Sequence, residues 1–225
     1  MSILPFPGGL ENSQNGLLVL ASLAALYYLL RPEGTSGGRW AILKTIPVAA
    51  MALVAKDAAA PVALIAGLAL SALGDFLLAH KGDRAFLAGL AAFLAAHIAY
   101  TWLFLGGAGD SAFVLPAEAW RLAGAIAIAI HAANMARLLI PAVEKSMRLP
   151  VLAYLLAITL MGVSGAVHAT PHVFAGVVLF IISDTFLATG RFLVADDSRH
   201  KKWLGLAVWI TYIAGQMLIL TGIVV

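Results

Sequence analysis

Apolar stretches about twenty residues long, separated by short polar breaks, fill the chain from residue 14 onward. None of them alternates apolar and polar positions with a period of two, which argues against strands and against an outer-membrane barrel. In lipid every backbone N–H and C=O needs an internal partner, so helices remain. The pattern predicts eight spanning helices at about 14–31, 40–56, 60–80, 85–105, 117–140, 149–168, 171–190 and 202–224. Each is close to the roughly 20 residues that cross a hydrocarbon core. The breakers agree. Arg31-Pro32-Glu33-Gly34 closes the first helix, and Gly106 to Asp110 reads as a turn. Pro61, Pro116, Pro150 and Pro171 stand at helix starts, where a missing N–H is harmless. The expectation is a single all-α domain over 1–225, a polytopic membrane helix bundle of eight transmembrane helices.

Composition narrows the class further. Of 225 residues, 62% are hydrophobic and 11% charged, with mean hydropathy +0.98; a soluble domain is nearer a quarter charged. A water-soluble fold and a disordered chain are excluded. The net charge of +3 does not point to nucleic acid, because the basic residues are scattered through the breaks rather than striped along one face. Cysteine is absent, which removes disulfides, thiolate ligands and cysteine nucleophiles. The segment Met1 to Asn12 lacks the basic n-region of a secretory signal, so the first apolar run is expected to remain as a span.

The basic residues report topology instead. Eleven of them follow helices one, three, five and seven: Arg31, Arg39, Lys81, Arg84, Arg137, Lys145, Arg148, Arg191, Arg199, Lys201 and Lys202. The other side carries Lys56 and Arg121, and Lys44 lies just inside helix two. By the positive-inside rule the odd breaks are cytoplasmic and both termini outside, with a bacterial inner membrane as the expected location.

The two halves echo each other. Gly74-Asp75-Phe76-Leu77-Leu78-Ala79 ends helix three, Ser183-Asp184-Thr185-Phe186-Leu187-Ala188 ends helix seven, and the aspartates stand 109 residues apart. An offset of four helices preserves direction across the membrane, so the implied architecture is a 4+4 parallel pseudo-repeat. Of the eleven acids, only Asp75 and Asp184 fall within apolar runs, and Lys44 is the one basic residue clearly inside a span. A charge at mid-bilayer costs about 2.5–3.5 kcal/mol on insertion scales, and such residues face the bundle interior and pair. A buried Asp–Lys pair that merely fixes packing would account for one aspartate but not the second.

Depth gathers more polar residues. At about 1.5 Å per residue both aspartates lie roughly 8–9 Å from the cytoplasmic edge. Lys44, Tyr154 and Asn134 enter at similar depth, with His131 one turn deeper and His97 and Tyr100 deeper again. Ser71 shares a helix face with Asp75, His131 with Asn134, and His97 with Tyr100. The expectation is a polar cavity opening toward the cytoplasmic leaflet, with Asp75 and Asp184 catalytic and Lys44, Ser71, His97, Tyr100, His131, Asn134, Tyr154 and Ser183 around the substrate. Elsewhere the bland readings hold: His168 and His172 solvated, Thr211 and Gln216 as helix–helix partners, and Ala125, Ala129 and Ala133 as a close-packing ridge. Trp40, Trp102, Trp120 and Trp203 read as interface anchors and Trp209 as core.

Two carboxylates facing one cavity suit general acid–base work, one kept protonated while the other stays ionised. No G-x-S-x-G elbow and no H-E-x-x-H zinc spacing occurs, and neither a metal nor a cofactor is expected. Leu43-Lys44-Thr45-Ile46-Pro47, Gly74-Asp75, Gly89 with Phe93-Leu94-x-x-His97-x-x-Tyr100, and Phe180-x-x-Ser183-Asp184 resemble, in order and spacing, the YhhN family of integral membrane proteins, which includes the lysoplasmalogenases. The resemblance covers nearly the whole chain. It implies an eight-helix fold, hydrolysis of the vinyl-ether bond of lysoplasmalogens to a fatty aldehyde and a glycerophospho head group, and Asp75 and Asp184 as the central pair with Lys44, His97, Tyr100 and Asn134 nearby. The implied partners are a lysophospholipid substrate and membrane lipids. Two other readings of the same residues stay open: a small-solute or proton-coupled transporter, and a non-catalytic lysolipid-binding protein.

Overall fold

Each apolar stretch forms a helix. In a computed structural model, describing residues 4–31, 35–106, 118–195 and 197–225 and His168 by its backbone, a 3-10 turn at Gly9–Glu11 precedes eight α-helices. They are α1 Ser13–Leu29, α2 Gly38–Asp57, α3 Val62–Leu78, α4 Asp83–Gly106, α5 Ala119–Ala142, α6 Lys145–His168, α7 Pro171–Phe192 and α8 His200–Val224. Among the described residues there is no strand. Six helices, α2 and α4 to α8, are long and apolar enough to cross a membrane. The other two, α1 and α3, have 17 residues each, a rise of about 26 Å at the lower edge of the spanning range. Among the described residues the fold is thus all-helical, with six helices of spanning length and two shorter apolar ones.

All but one of the helix limits fall within two residues of those the hydrophobic pattern predicts; α6 begins four residues early. Pro150 thus lies inside α6 and not at its start. A proline there costs the helix only the hydrogen bond to the Ser146 carbonyl, close to a free end. Pro171 does open α7, behind a Thr170 N-cap. Pro32 to Gly34, Pro116 and the turn beyond Gly106 lie outside the described residues.

The helices group into two compact units, residues 1–100 with 220–225 and residues 101–219. In the first, α1 packs on α2 and α2 on α3. Glycines set the fit of α3 to α4. A Cβ on Gly67 would stand 2.8 Å from the Tyr100 ring, one on Gly74 2.5 Å from the Phe93 ring, and one on Gly89 2.6 Å from Leu78. Seven residues forward on α3 are matched by seven back on α4, and the next four by four, the register of an antiparallel pair with aromatic rings seated in glycine notches. At the head of α1, Asn15 is fully buried; its Nδ2 donates to the carbonyls of Phe6 (2.7 Å) and Gly9 (2.8 Å), and its Oδ1 accepts from Phe6 N–H (3.1 Å).

In the second unit α6 packs on both α5 and α7, and α5 touches α7. Met135, Leu139, Val143 and Val151 form a core at the α5–α6 turn, with Ala188 and Phe192 of α7 against it. Backbone approaches backbone where α7 meets α8: a Cβ on Gly176 would stand 2.7 Å from the Gly215 carbonyl oxygen. The expected alanine ridge does not do this work, for Ala129 and Ala133 are exposed; the close contacts fall to glycines, which alone let helix backbones come so near. Arg121 Nη1 donates to the carbonyls of Val167 (3.0 Å) and Ala169 (2.8 Å) at the C-terminal end of α6, groups that have no intrahelical partner. Glu118 accepts from Arg121 Nε at 2.5 Å, and that hydrogen bond holds its carboxyl below the usual carboxylate range. Trp209 is buried, while Trp102 and Trp203 are exposed.

Candidate active site

One intramembrane aspartate lies in each unit, and each has its own neighbours. In the first unit, Lys44 lies nearly two turns into α2 and Asp75 one turn before the end of α3. Lys44 Nζ stands 3.4 Å from Asp75 Oδ1, with the side chains 17% and 2% exposed. A carboxylate this deeply buried needs such a partner, since an uncompensated charge in low dielectric is strongly unfavourable. Tyr28 of α1, buried beneath the Arg31 guanidinium at 4.2 Å from its ring centroid, also interacts electrostatically with Asp75. Neither Tyr28 nor Arg31 is among the residues expected around the substrate.

Ser71, one helical turn before Asp75, is fully buried, and its Oγ has no hydrogen-bond partner among the described residues. His97 and Tyr100 on α4 are fully buried as well. The Tyr100 ring lies against α3 because Gly67 offers no side chain there.

In the second unit three consecutive residues of α7 reach three different helices. Successive helical residues turn by about 100°, so Ser183, Asp184 and Thr185 must face different neighbours. Ser183 Oγ donates to the Val208 carbonyl of α8 at 2.9 Å. The Tyr154 hydroxyl of α6 donates to Asp184 Oδ2 at 2.5 Å. His131 Nε2 of α5 lies 2.9 Å from Thr185 Oγ1, which itself donates to the Ile181 carbonyl at 2.8 Å. The expected residues His131, Tyr154, Ser183 and Asp184 therefore gather about one segment of α7. Asn134, expected beside His131, is exposed. Thr185 is absent from the expected set. The signal is there in the sequence: three adjacent polar residues inside an apolar helix cannot share one face.

Of the bland readings, Gln216 is fully buried and His172 exposed, and the His168 side chain lies outside the described residues. Among the described residues no group of three or more His, Asp or Glu side chains is placed to hold a metal ion.

Known proteins match this arrangement in sequence. A family model described as the YhhN family matches residues 39–223. Proteins named lysoplasmalogenase from Mycobacterium bovis and Mycobacterium tuberculosis are each 31% identical over 163 residues, covering 71% of this chain and 59% of theirs. The chain thus spans about six-tenths of the length of these curated relatives. No solved structure matches.

Proposed function

The chain belongs to the YhhN family, and on that footing we propose that it is a membrane-embedded hydrolase that cleaves the vinyl-ether bond of lysoplasmalogen-type lysophospholipids, releasing a fatty aldehyde and a glycerophospho head group. The observation that carries the reading is the likeness to lysoplasmalogenases over 71% of the chain. The two intramembrane acids, each held by a dedicated partner, suit the chemistry.

Vinyl ethers hydrolyse by proton transfer to the β-carbon, which leaves an oxocarbenium ion. Water adds to that cation, and the hemiacetal collapses to the aldehyde. Asp184 is the proton donor on this reading. Tyr154 occupies Oδ2 as a donor, so the acid proton sits on Oδ1. Asp75, ion-paired with Lys44 in the first unit, is a buried carboxylate of the kind that offsets a developing positive charge. The excess of Lys and Arg after the odd helices supports an inner-membrane protein with both termini outside and the acids toward the cytoplasmic leaflet.

The test uses purified protein in nanodiscs with a lysoplasmenyl lipid and, as control, the saturated ether of equal chain length. Aldehyde release is expected from the vinyl ether alone. Asp184→Asn and Asp75→Asn should each lower kcat about 10²–10⁴-fold, the usual worth of a positioned acid or base. A wild-type rate in either single variant overturns the mechanism, and no aldehyde from the wild type overturns the function.

A further inference from the structure

Thr185 has one hydroxyl proton and two close neighbours, and counting that proton fixes the state of a histidine. Its Oγ1 lies 2.8 Å from the Ile181 carbonyl oxygen and 2.9 Å from His131 Nε2. A carbonyl oxygen only accepts, so the short contact to Ile181 is attractive only when the hydroxyl donates there. With that proton spent, Oγ1 presents lone pairs to His131, and Nε2 must carry the hydrogen. The reverse arrangement, hydroxyl to Nε2, would leave two acceptor oxygens facing each other at 2.8 Å. Only the first arrangement satisfies every group. A neutral imidazole with hydrogen on Nε2 has its lone pair on Nδ1, and Nδ1 has no hydrogen-bond partner among the described residues. His131 is partly exposed, so the lone pair is not sealed away.

We propose that Thr185 locks His131 as its Nε2–H tautomer and that the freed Nδ1 is the proton acceptor for the water that captures the oxocarbenium ion. The proposal deepens the hydrolase reading and rests on it. His131 would be the catalytic residue and Thr185 its positioning residue. Thr185 follows Asp184 directly in sequence, and His131 lies in the same unit, so the proton donor and the proton acceptor hang on one segment of α7. The atoms balance. The water oxygen bonds to the cationic carbon, the π electrons return to the ether oxygen, and one water proton passes to Nδ1. On collapse the carbon–oxygen bond to the glycerol breaks. The imidazolium gives its proton to that glycerol oxygen, and the hemiacetal hydroxyl proton restores the Asp184 acid. Proton uptake at Nδ1 leaves the Nε2–H bond to Thr185 in place, so the imidazolium is held where the imidazole was.

Nitrogen-15 NMR of histidine-labelled protein in nanodiscs reads the tautomer directly, with His131→Gln used to assign the signal. The wild type and Thr185→Ser should show Nε2–H. Thr185→Val, isosteric but without the hydroxyl, should show a mixture of both tautomers. In the vinyl-ether assay Thr185→Val should lose kcat roughly 10–100-fold, as for a displaced catalytic group, with KM unchanged and with rescue in Thr185→Ser. An Nδ1–H tautomer in the wild type overturns the proposal. So does a Thr185→Val protein with wild-type tautomer and kcat. A wild type that shows Nε2–H but hydrolyses no vinyl ether removes the catalytic role together with the hydrolase reading, while the tautomer lock stands.

Discussion

Removing the ammonium from the Lys44–Asp75 pair is the sharpest perturbation of the first unit, because the carboxylate it leaves behind cannot reach water. At 3.4 Å the Coulomb attraction of two unit charges is about 1 kcal/mol in water and about 5 kcal/mol at an effective dielectric of 20. Asp75 is 2% exposed and Lys44 17%, so the larger figure is the nearer one. That attraction is mostly offset by the desolvation of both ions, which is why a buried pair replaced whole by apolar or neutral groups is often near neutral. The variants should therefore behave unequally. Lys44→Met takes the cation from a buried carboxylate and should cost about 3–5 kcal/mol. Asp75→Asn strands an ammonium on a long stem that can extend toward the helix end, and should cost less, about 1–3 kcal/mol. The double variant should be more stable than Lys44→Met alone.

Equilibrium unfolding in mixed micelles, followed by far-UV circular dichroism, gives the three differences and hence a coupling energy. A coupling above about 1 kcal/mol is expected for residues in direct contact. If the two single losses add to within about 0.5 kcal/mol in the double variant, the pair is not an electrostatic unit and the reasoning fails. Activity separates from stability here. The double variant should regain fold and no turnover.

The remaining predictions concern packing and caps. Gly74→Ala places a Cβ 2.5 Å from the Phe93 ring and should lose about 1–3 kcal/mol by overpacking, while Gly16→Ala, with nothing within 4 Å, should gain up to about 1 kcal/mol of helix propensity; the same unfolding assay compares them, and equal effects would sink the notch-and-ring register. Asn15→Ala removes three hydrogen bonds to the Phe6–Gly9 segment. It should cost about 1–3 kcal/mol and expose residues 4–11 to limited proteolysis, read by mass spectrometry. Arg121→Met leaves the last carbonyls of α6 without their donor, and hydrogen exchange should rise at Val167 to Ala169. Because the Arg121 hydrogen bond holds the Glu118 carboxyl low, the Glu118–Arg121 contact is present above the ordinary carboxylate range, survives through it, and is lost only as the pH falls through the lowered value. An exchange rate at α6 that climbs already through the ordinary range would contradict that.

The helices are legible because lipid permits so little else: apolar runs bounded by Pro, Gly and charges mark all eight, with a limit displaced only where Pro150 reads as a first residue and the helix in fact tolerates it one turn in. What composition cannot show is which small residues make the close contacts. Alanine spacing on α5 suggests a ridge, yet Ala129 and Ala133 are exposed. The notches lie instead at Gly67 and Gly74 opposite Tyr100 and Phe93, a pair of seven-residue spacings that run in opposite directions along neighbouring helices and can be read from sequence once antiparallel packing is assumed. Depth arithmetic puts Lys44, Tyr154 and Asn134 at the level of the aspartates, and in the structure Lys44 meets Asp75 and Tyr154 meets Asp184. Asn134 is exposed, since depth fixes height along a helix and not the direction a side chain faces.

The two aspartates share a local grammar and differ in one word of it. Each sits near the C-terminal end of its helix, and each is met by a side chain from the helix just before, Lys44 of α2 for Asp75 and Tyr154 of α6 for Asp184. The starts of α3 and α7 are 109 residues apart, as are the aspartates. In the first pair the partner is a full positive charge, while in the second it is a neutral hydroxyl that can only donate to a carboxylate. That difference in partner is what lets the two carboxyls be proposed for different roles. Exchange of the partner is therefore the informative experiment. Tyr154→Phe removes a donor from Asp184 and leaves no new charge, so it should lower kcat while sparing the fold. Tyr154→Lys would give Asp184 the cation that Asp75 has, turning the proposed donor into a second carboxylate. It should abolish aldehyde release more completely than Tyr154→Phe. Equal rates in the two variants would mean that the charge on Asp184 does not matter to the reaction, and the assignment of Asp184 as the acid would fall.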